Sequence, residues 1–162
     1  MAGEDDTDLP LAAEVLDRLR RRGQTLAVAE SLTGGLLAAT LVAVSGASTV
    51  FRGGLVTYAT ELKHELAEVP AGLLAERGPV DPQVALAMAD GARRRCGADW
   101  GVATTGVAGP NPQHGIPVGT VYLACVGPHL AGEVRPRRFT GDRQQIRRAS
   151  VRAALMLLRD QA

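Results

Sequence analysis

Leu26-Ala27-Val28-Ala29-Glu30-Ser31-Leu32-Thr33-Gly34-Gly35-Leu36-Leu37-Ala38-Ala39-Thr40-Leu41 decides the fold class of this 162-residue chain. A short apolar run, a turn bearing hydroxyls and two glycines, and a helix-like apolar stretch read as strand, tight turn and helix. Free backbone N–H groups at the start of such a helix point outward and favour negative charge. A serine on the turn is exposed, and its attack on a carbonyl would develop an oxyanion near those amides. The plain alternative is that Ser31 or Thr33 is an N-cap and no more.

Working outward, a helix is predicted from Asp8, with Pro10 in its first turn and Ala12, Val15, Leu16 and Leu19 buried, stopping at Gly23. The helix after the Ser31 turn is predicted to run to Val44. Thr49 to Thr57 reads as a strand interrupted by Gly53-Gly54, followed by short helices over Leu62 to Ala67 and Ala71 to Arg77. Asp81-Pro82 opens a helix to Cys96, and Trp100 to Thr104 is a strand running into Thr105-Gly106-Val107-Ala108-Gly109-Pro110. Residues 111–117, with two prolines and a glycine, form a loop suited to covering a site. Gly119 to Val126 and Glu133 to Phe139 read as a hairpin with Gly127 to Gly132 between them. Asp142 and Gln145 then cap a last helix with Ile146, Ala149, Ala153 and Leu157 on one face. Strands interleaved with helices predict a three-layer α/β/α sandwich over a mixed, mostly parallel sheet. A single domain over 8–162 is expected, after a flexible acidic N-terminus at 1–7.

Composition narrows the function. Net charge is +1 and aromatics make up 3%, too few rings for a stacking platform on single-stranded nucleic acid. The arginine clusters are nearly balanced by acids and read as solvated helix faces and ends. Cys96 and Cys125 stand alone and read as small buried residues. His64, His114 and His129 have no ligand spacing, so no structural metal is expected. With no membrane-length apolar run and no signal-peptide pattern, the expected compartment is the cytoplasm.

Lys63 is the only lysine among seventeen arginines. A guanidinium stays protonated at any biological pH, whereas a desolvated ammonium can lose its proton and act as a base. Tyr58 lies five residues earlier, where an apolar segment turns polar, so that phenol and amine could share a proton beside a nucleophile. The plainer readings are a surface lysine and an amphipathic ring closing a strand. His64 is a further residue that could serve a site, or a solvated histidine.

Ala29-Glu30-Ser31-Leu32-Thr33-Gly34-Gly35, then Gly46-Ala47-Ser48 with Phe51 and Gly53-Gly54 leading to Tyr58 and Lys63, then Thr105-Gly106-Val107-Ala108-Gly109-Pro110 and Pro117-Val118-Gly119-Thr120-Val121-Tyr122, resemble the CinA C-terminal domain family. The resemblance covers roughly residues 8–160. Active members of that family are nicotinamide-nucleotide amidases, also called nicotinamide mononucleotide deamidases. It therefore implies hydrolysis of nicotinamide mononucleotide to nicotinate mononucleotide and ammonia, in pyridine-nucleotide salvage. By the same resemblance Ser31 is the nucleophile, Lys63 its base, and Tyr58 a partner in the proton relay or in orienting substrate. Thr33, Gly34 and Gly35 surround the reacting carbonyl, Ser48 is a possible site hydroxyl, and Thr105, Gly106, Ala108 and Gly109 form the ligand-facing loop. A homodimer is implied as well. Leu32 stands where the family often has Cys, and Asn111-Pro112 replaces the usual Gly after Ala-Gly-Pro. Many family proteins carry an N-terminal domain resembling a molybdopterin-binding module, whose activities are not expected of this chain.

Amide hydrolysis needs a nucleophile, a proton acceptor that becomes a donor to leaving ammonia, and oxyanion stabilisation, with no metal or cofactor. The alternatives are a non-catalytic nucleotide-binding module and a competence- or DNA-damage-related interaction module, the latter suggested only by the family name. A penicillin-binding type of serine hydrolase is excluded, because Gly34 occupies the place where Ser-x-x-Lys needs its lysine. Ser31 and Lys63 must meet through the fold.

Overall fold

The computed structural model describes residues 8–162; the expected flexible stretch 1–7 lies outside them. In chain order the elements are α1 (Leu9–Arg21), β1 (Leu26–Glu30), α2 (Leu36–Val42), a 3₁₀ turn (Ala47–Thr49), β2 (Phe51–Val56), α3 (Thr60–Glu65), α4 (Ala71–Arg77), α5 (Pro82–Arg95), β3 (Trp100–Gly106), β4 (Thr120–Gly127), β5 (Leu130–Arg138) and α6 (Arg143–Gln161). The five strands form one sheet in the order β2-β1-β3-β4-β5. β1 runs parallel to β2 and β3, while β4 is antiparallel to both its neighbours, so four strands point one way and β4 the other. This is the three-layer sandwich with a mixed, mostly parallel sheet that the sequence predicts.

Strand periodicity sorts β1 between two cores: Leu26 and Val28 join the side chains of α1, α2 and α6, and Ala27 and Ala29 face α5 on the other side. The α5 side is lined with small residues for a steric reason. Gly101 of β3 lies directly under the Ala89 carbonyl of α5, where any Cβ would collide with it. α1 buries Ala12, Val15, Leu16 and Leu19 as its spacing predicts. Asp81 caps α5 through the amides of Gln83 and Val84, and Asp142 with Gln145 forms a capping box on α6.

Four local expectations are corrected. α2 ends at Val42 rather than Val44, its last turn tightening as the Val44 amide reaches back to the Leu41 carbonyl. β2 begins at Phe51, because the preceding residues wind into the 3₁₀ turn. The hairpin is tighter than Gly127 to Gly132, since Gly127 pairs with Leu130 and leaves only Pro128-His129 to turn. On α6 the buried face holds Ser150 and Ala154, whereas Ala149 and Ala153 are half-buried. The Ser150 hydroxyl donates to the Ile146 carbonyl at 2.7 Å, which lets a polar residue sit in the core. Cys125 is buried as expected, but Cys96 only half so.

The fold sets the site through strand direction. Glu30 pairs with Val56 of β2 and Thr104 of β3, so the carboxyl ends of three parallel strands finish level at one edge. Crevices at that edge are where open α/β sheets bind ligands.

Candidate active site

Ser31 follows β1 and continues its ladder, its amide donating to the Thr104 carbonyl at 3.0 Å. Gly34 and Gly35 then adopt left-handed backbone, φ 59° and 101°, and turn the chain into α2. The amides at the start of α2 are not free, contrary to the expectation that they await negative charge. Glu30, 1% exposed, accepts from Leu37 N at 2.8 Å and from Ala38 N at 3.0 Å through its two carboxylate oxygens. Thr33 is equally committed, its Oγ1 lying 2.8 Å from Thr104 Oγ1. Arg147 of α6 reaches the same turn, donating from Nε to the Leu32 carbonyl at 3.0 Å and from Nη2 to the Thr33 carbonyl at 2.9 Å.

Lys63 enters from α3 and is 1% exposed. Its Nζ lies 3.0 Å from Ser31 Oγ, 2.6 Å from the Thr57 carbonyl and 3.4 Å from the Tyr58 carbonyl. Among the described residues no carboxylate forms an ion pair with it. Burial pushes the Lys63 pKa down from 10.5 to about 8, with the charge of Glu61 opposing. A neutral amine has two N–H donors and one lone pair. As an ammonium, Lys63 donates to Ser31 Oγ and to the two carbonyls; once deprotonated, it keeps its two donors for the carbonyls and turns its lone pair to the Ser31 hydroxyl.

The cleft beside Ser31 is walled by Leu32, Tyr58, residues Gly106 to Gly109, Asn111, Gln113 and Arg143. Its mouth is bridged by Arg143, which donates to the Gly109 carbonyl at 2.6 Å and to the Tyr58 hydroxyl at 2.9 Å. Among the described residues, the amides of Leu32 and Ala108 have no acceptor, while the Val107 amide is taken by the Thr120 carbonyl. No group of His, Cys, Asp and Glu among the described residues could hold a metal, and no described helix is long and apolar enough to cross a membrane.

Residues 8–162 match the family model of the CinA C-terminal domain. The chain belongs to the CinA C-terminal domain family. It is 52% identical over 158 residues to a CinA-like protein of Frankia casuarinae, covering 97% of this chain and 35% of that protein. A CinA-like protein of Synechococcus sp. is 51% identical over 97% of this chain and 38% of its own length. The chain thus spans little more than a third of the curated relatives it matches. Among solved CinA-family structures, a competence-damaged protein (CinA) superfamily protein of Klebsiella pneumoniae superposes with a TM-score of 0.92 at 34% identity, covering 96% of this chain and 97% of that one. The competence/damage inducible protein CihA of Agrobacterium tumefaciens gives 0.90 at 36% identity, with 98% and 96% covered.

Within this CinA-family fold, the structure brings Ser31, Lys63 and the main chain of Tyr58 together. The Tyr58 phenol instead meets Arg143, and the residue is 59% exposed. Gly106, Ala108 and Gly109 wall the cleft, whereas the Thr105 hydroxyl donates to the Pro79 carbonyl at 2.7 Å and holds the approach to α5. Thr33, Gly34 and Gly35 shape the turn without walling the cleft. Ser48 is not brought in: it is exposed in the 3₁₀ turn before β2, at the amino ends of the strands, the opposite edge from Ser31. His64 also lies off the cleft, its Nδ1 2.8 Å from the Val69 carbonyl. Sequence reading missed Glu30, Arg143 and Arg147. A signal for the arginines was available, since two cations at i and i+4 in the opening turns of a capped helix oppose its dipole and call for another use.

Proposed function

We propose that this chain is an amidohydrolase that converts nicotinamide mononucleotide to nicotinate mononucleotide and ammonia, with Ser31 as nucleophile and Lys63 as its base. The observation that carries the reading is the 3.0 Å approach of a buried lysine amine, its pKa lowered by burial to about 8, to a serine hydroxyl at a cleft wall. Ser31 Oγ attacks the carboxamide carbon and its proton passes to Lys63 Nζ. The oxygen that becomes negative is met by the amides of Leu32, the residue after the nucleophile, and Ala108. Of the other turn amides, that of Gly34 is taken by the Ser31 carbonyl. Lys63 then returns the proton to the amide nitrogen, the C–N bond breaks and ammonia leaves. In the second half a water gives its proton to Lys63 and attacks the acyl carbon, the ester C–O bond breaks, and Ser31 recovers its proton.

The Gly106–Gly109 loop and Arg143 supply backbone donors and a cation for the ligand's anionic portion. Tyr58 works at the mouth, orienting the ligand with Arg143, rather than in the proton relay, since its phenol oxygen accepts from Arg143 and makes no hydrogen bond to Ser31 or Lys63 among the described residues. A binding module with no catalysis gives no use to a lysine buried beside a serine and, among the described residues, without a carboxylate partner. The test is ammonia release and nicotinate mononucleotide formation by the purified chain, compared with Ser31→Ala and Lys63→Arg.

A further inference from the structure

The Ser31 turn is gripped from outside by a residue 116 positions along the chain whose side chain the proposed chemistry does not use. Arg147 donates from Nε and Nη2 to two successive carbonyls, Leu32 at 3.0 Å and Thr33 at 2.9 Å. Across a trans peptide the carbonyl and the following N–H point opposite ways. The Thr33 and Gly34 amides are therefore directed away from Arg147 and toward the inside of the turn, where Gly34 N donates to the Ser31 carbonyl at 3.1 Å. Gly34 lies beside the guanidinium, and a Cβ there would sit 3.6 Å from Nη2. With two consecutive left-handed glycines the turn has little rigidity of its own.

We infer that Arg147 is a positioning residue: its two-pronged hold on the Leu32 and Thr33 carbonyls fixes the two peptide planes that follow Leu32 and so keeps the turn that carries Ser31 Oγ against Lys63 Nζ in place. The geometry calls for a planar fork, since a lysine ammonium is a point donor and meets two carbonyls less well. The inference rests on the reading of Ser31 as nucleophile, not on the identity of the substrate.

The test uses the full chain with Arg147→Ala and Arg147→Lys. kcat and KM are read separately on nicotinamide mononucleotide, alongside the rate at which an alkyl fluorophosphonate phosphonylates Ser31. Arg147→Ala is expected to lower kcat and the phosphonylation rate about 10²-fold while KM stays within about 3-fold, because a misplaced nucleophile loses rate rather than affinity. Ethylguanidinium at a non-denaturing concentration should restore about 10-fold or more, and ethylammonium should not. Arg147→Lys, which keeps stem and charge, decides the matter if Arg147→Ala does not fold: a lowered kcat at unchanged KM upholds the inference and a normal kcat overturns it. A kcat in Arg147→Ala within about 3-fold of the wild type, a change confined to KM, or a loss that ethylguanidinium leaves untouched also overturns it. If the wild type releases no ammonia but is phosphonylated at Ser31, only the substrate reading fails and Arg147 is judged on phosphonylation; a wild type inert to both defeats both readings.

Discussion

Lys63 Nζ stands 3.0 Å from Ser31 Oγ across 32 residues of sequence, in a pocket where the other neighbours of the amine are the carbonyls of Thr57 and Tyr58. The pairing follows from strand order. β1 and β2 are adjacent and parallel, so the residues after each strand emerge side by side, and the first turns of α3 bring Lys63 back over them.

Activity should rise with pH through about 8, because the neutral amine is the base and burial lowers its pKa to about 8. Stability changes in the same direction. The unfolded chain, with Lys63 near 10.5, binds more protons between pH 8 and 10.5 than the folded chain does, so folding stability gains across that window. Lys63→Met should lose this gain, of about 3 kcal/mol, and denaturant titrations of both proteins at pH 7.5 and pH 10.5 measure the difference.

Tyr58→Phe and Arg143→Ala separate the relay role of Tyr58 from the mouth role. The phenol touches Arg143 and not Lys63, so Tyr58→Phe should keep kcat within about 3-fold, whereas loss of a relay acid would cost about 10²-fold or more. Arg143→Ala removes both bridges across the mouth and should act mainly on KM. Steady-state kinetics on the two variants give the split.

Glu30→Gln should destabilise the chain by about 1–3 kcal/mol, because a carboxamide offers one acceptor and one donor where two buried amides need two acceptors. Urea unfolding reads the loss. The same variant loosens the joint between β1 and α2 and should slow turnover as well.

Thr57→Val should be neutral or stabilising by up to about 1 kcal/mol. The Thr57 hydroxyl is buried and, among the described residues, is the side-chain polar atom left with no hydrogen bond, while its contact with Lys63 runs through the main chain. Retained turnover with an unchanged or raised unfolding midpoint is the expected result.

Much of this was legible in the sequence. The Ser31 turn, the caps at Asp81 and Asp142, and the isolated lysine carry their meaning locally, through turn chemistry, side-chain reach and the acid–base difference between Lys and Arg. What was hidden depended on partners far along the chain. Glu30 reads as a polar strand end until α2 folds back and places two amides on its carboxylate. Arg143 and Arg147 read as solvated helix charge until α6 lies across the Ser31 turn and the Gly109 loop. Ser48 misled through its motif, since parallel strands put the start of β2 at the far edge from the end of β1.

Ammonia release and nicotinate mononucleotide formation from nicotinamide mononucleotide, by wild type, Ser31→Ala and Lys63→Arg side by side, test the central claim most directly. The account predicts turnover in the wild type, none above background in Ser31→Ala, and a loss of about 10²–10⁴-fold in Lys63→Arg, which keeps the charge but fixes the proton. Near-normal turnover in Lys63→Arg would contradict the assignment of the base, and a wild type that binds the nucleotide without consuming it would contradict the amidase.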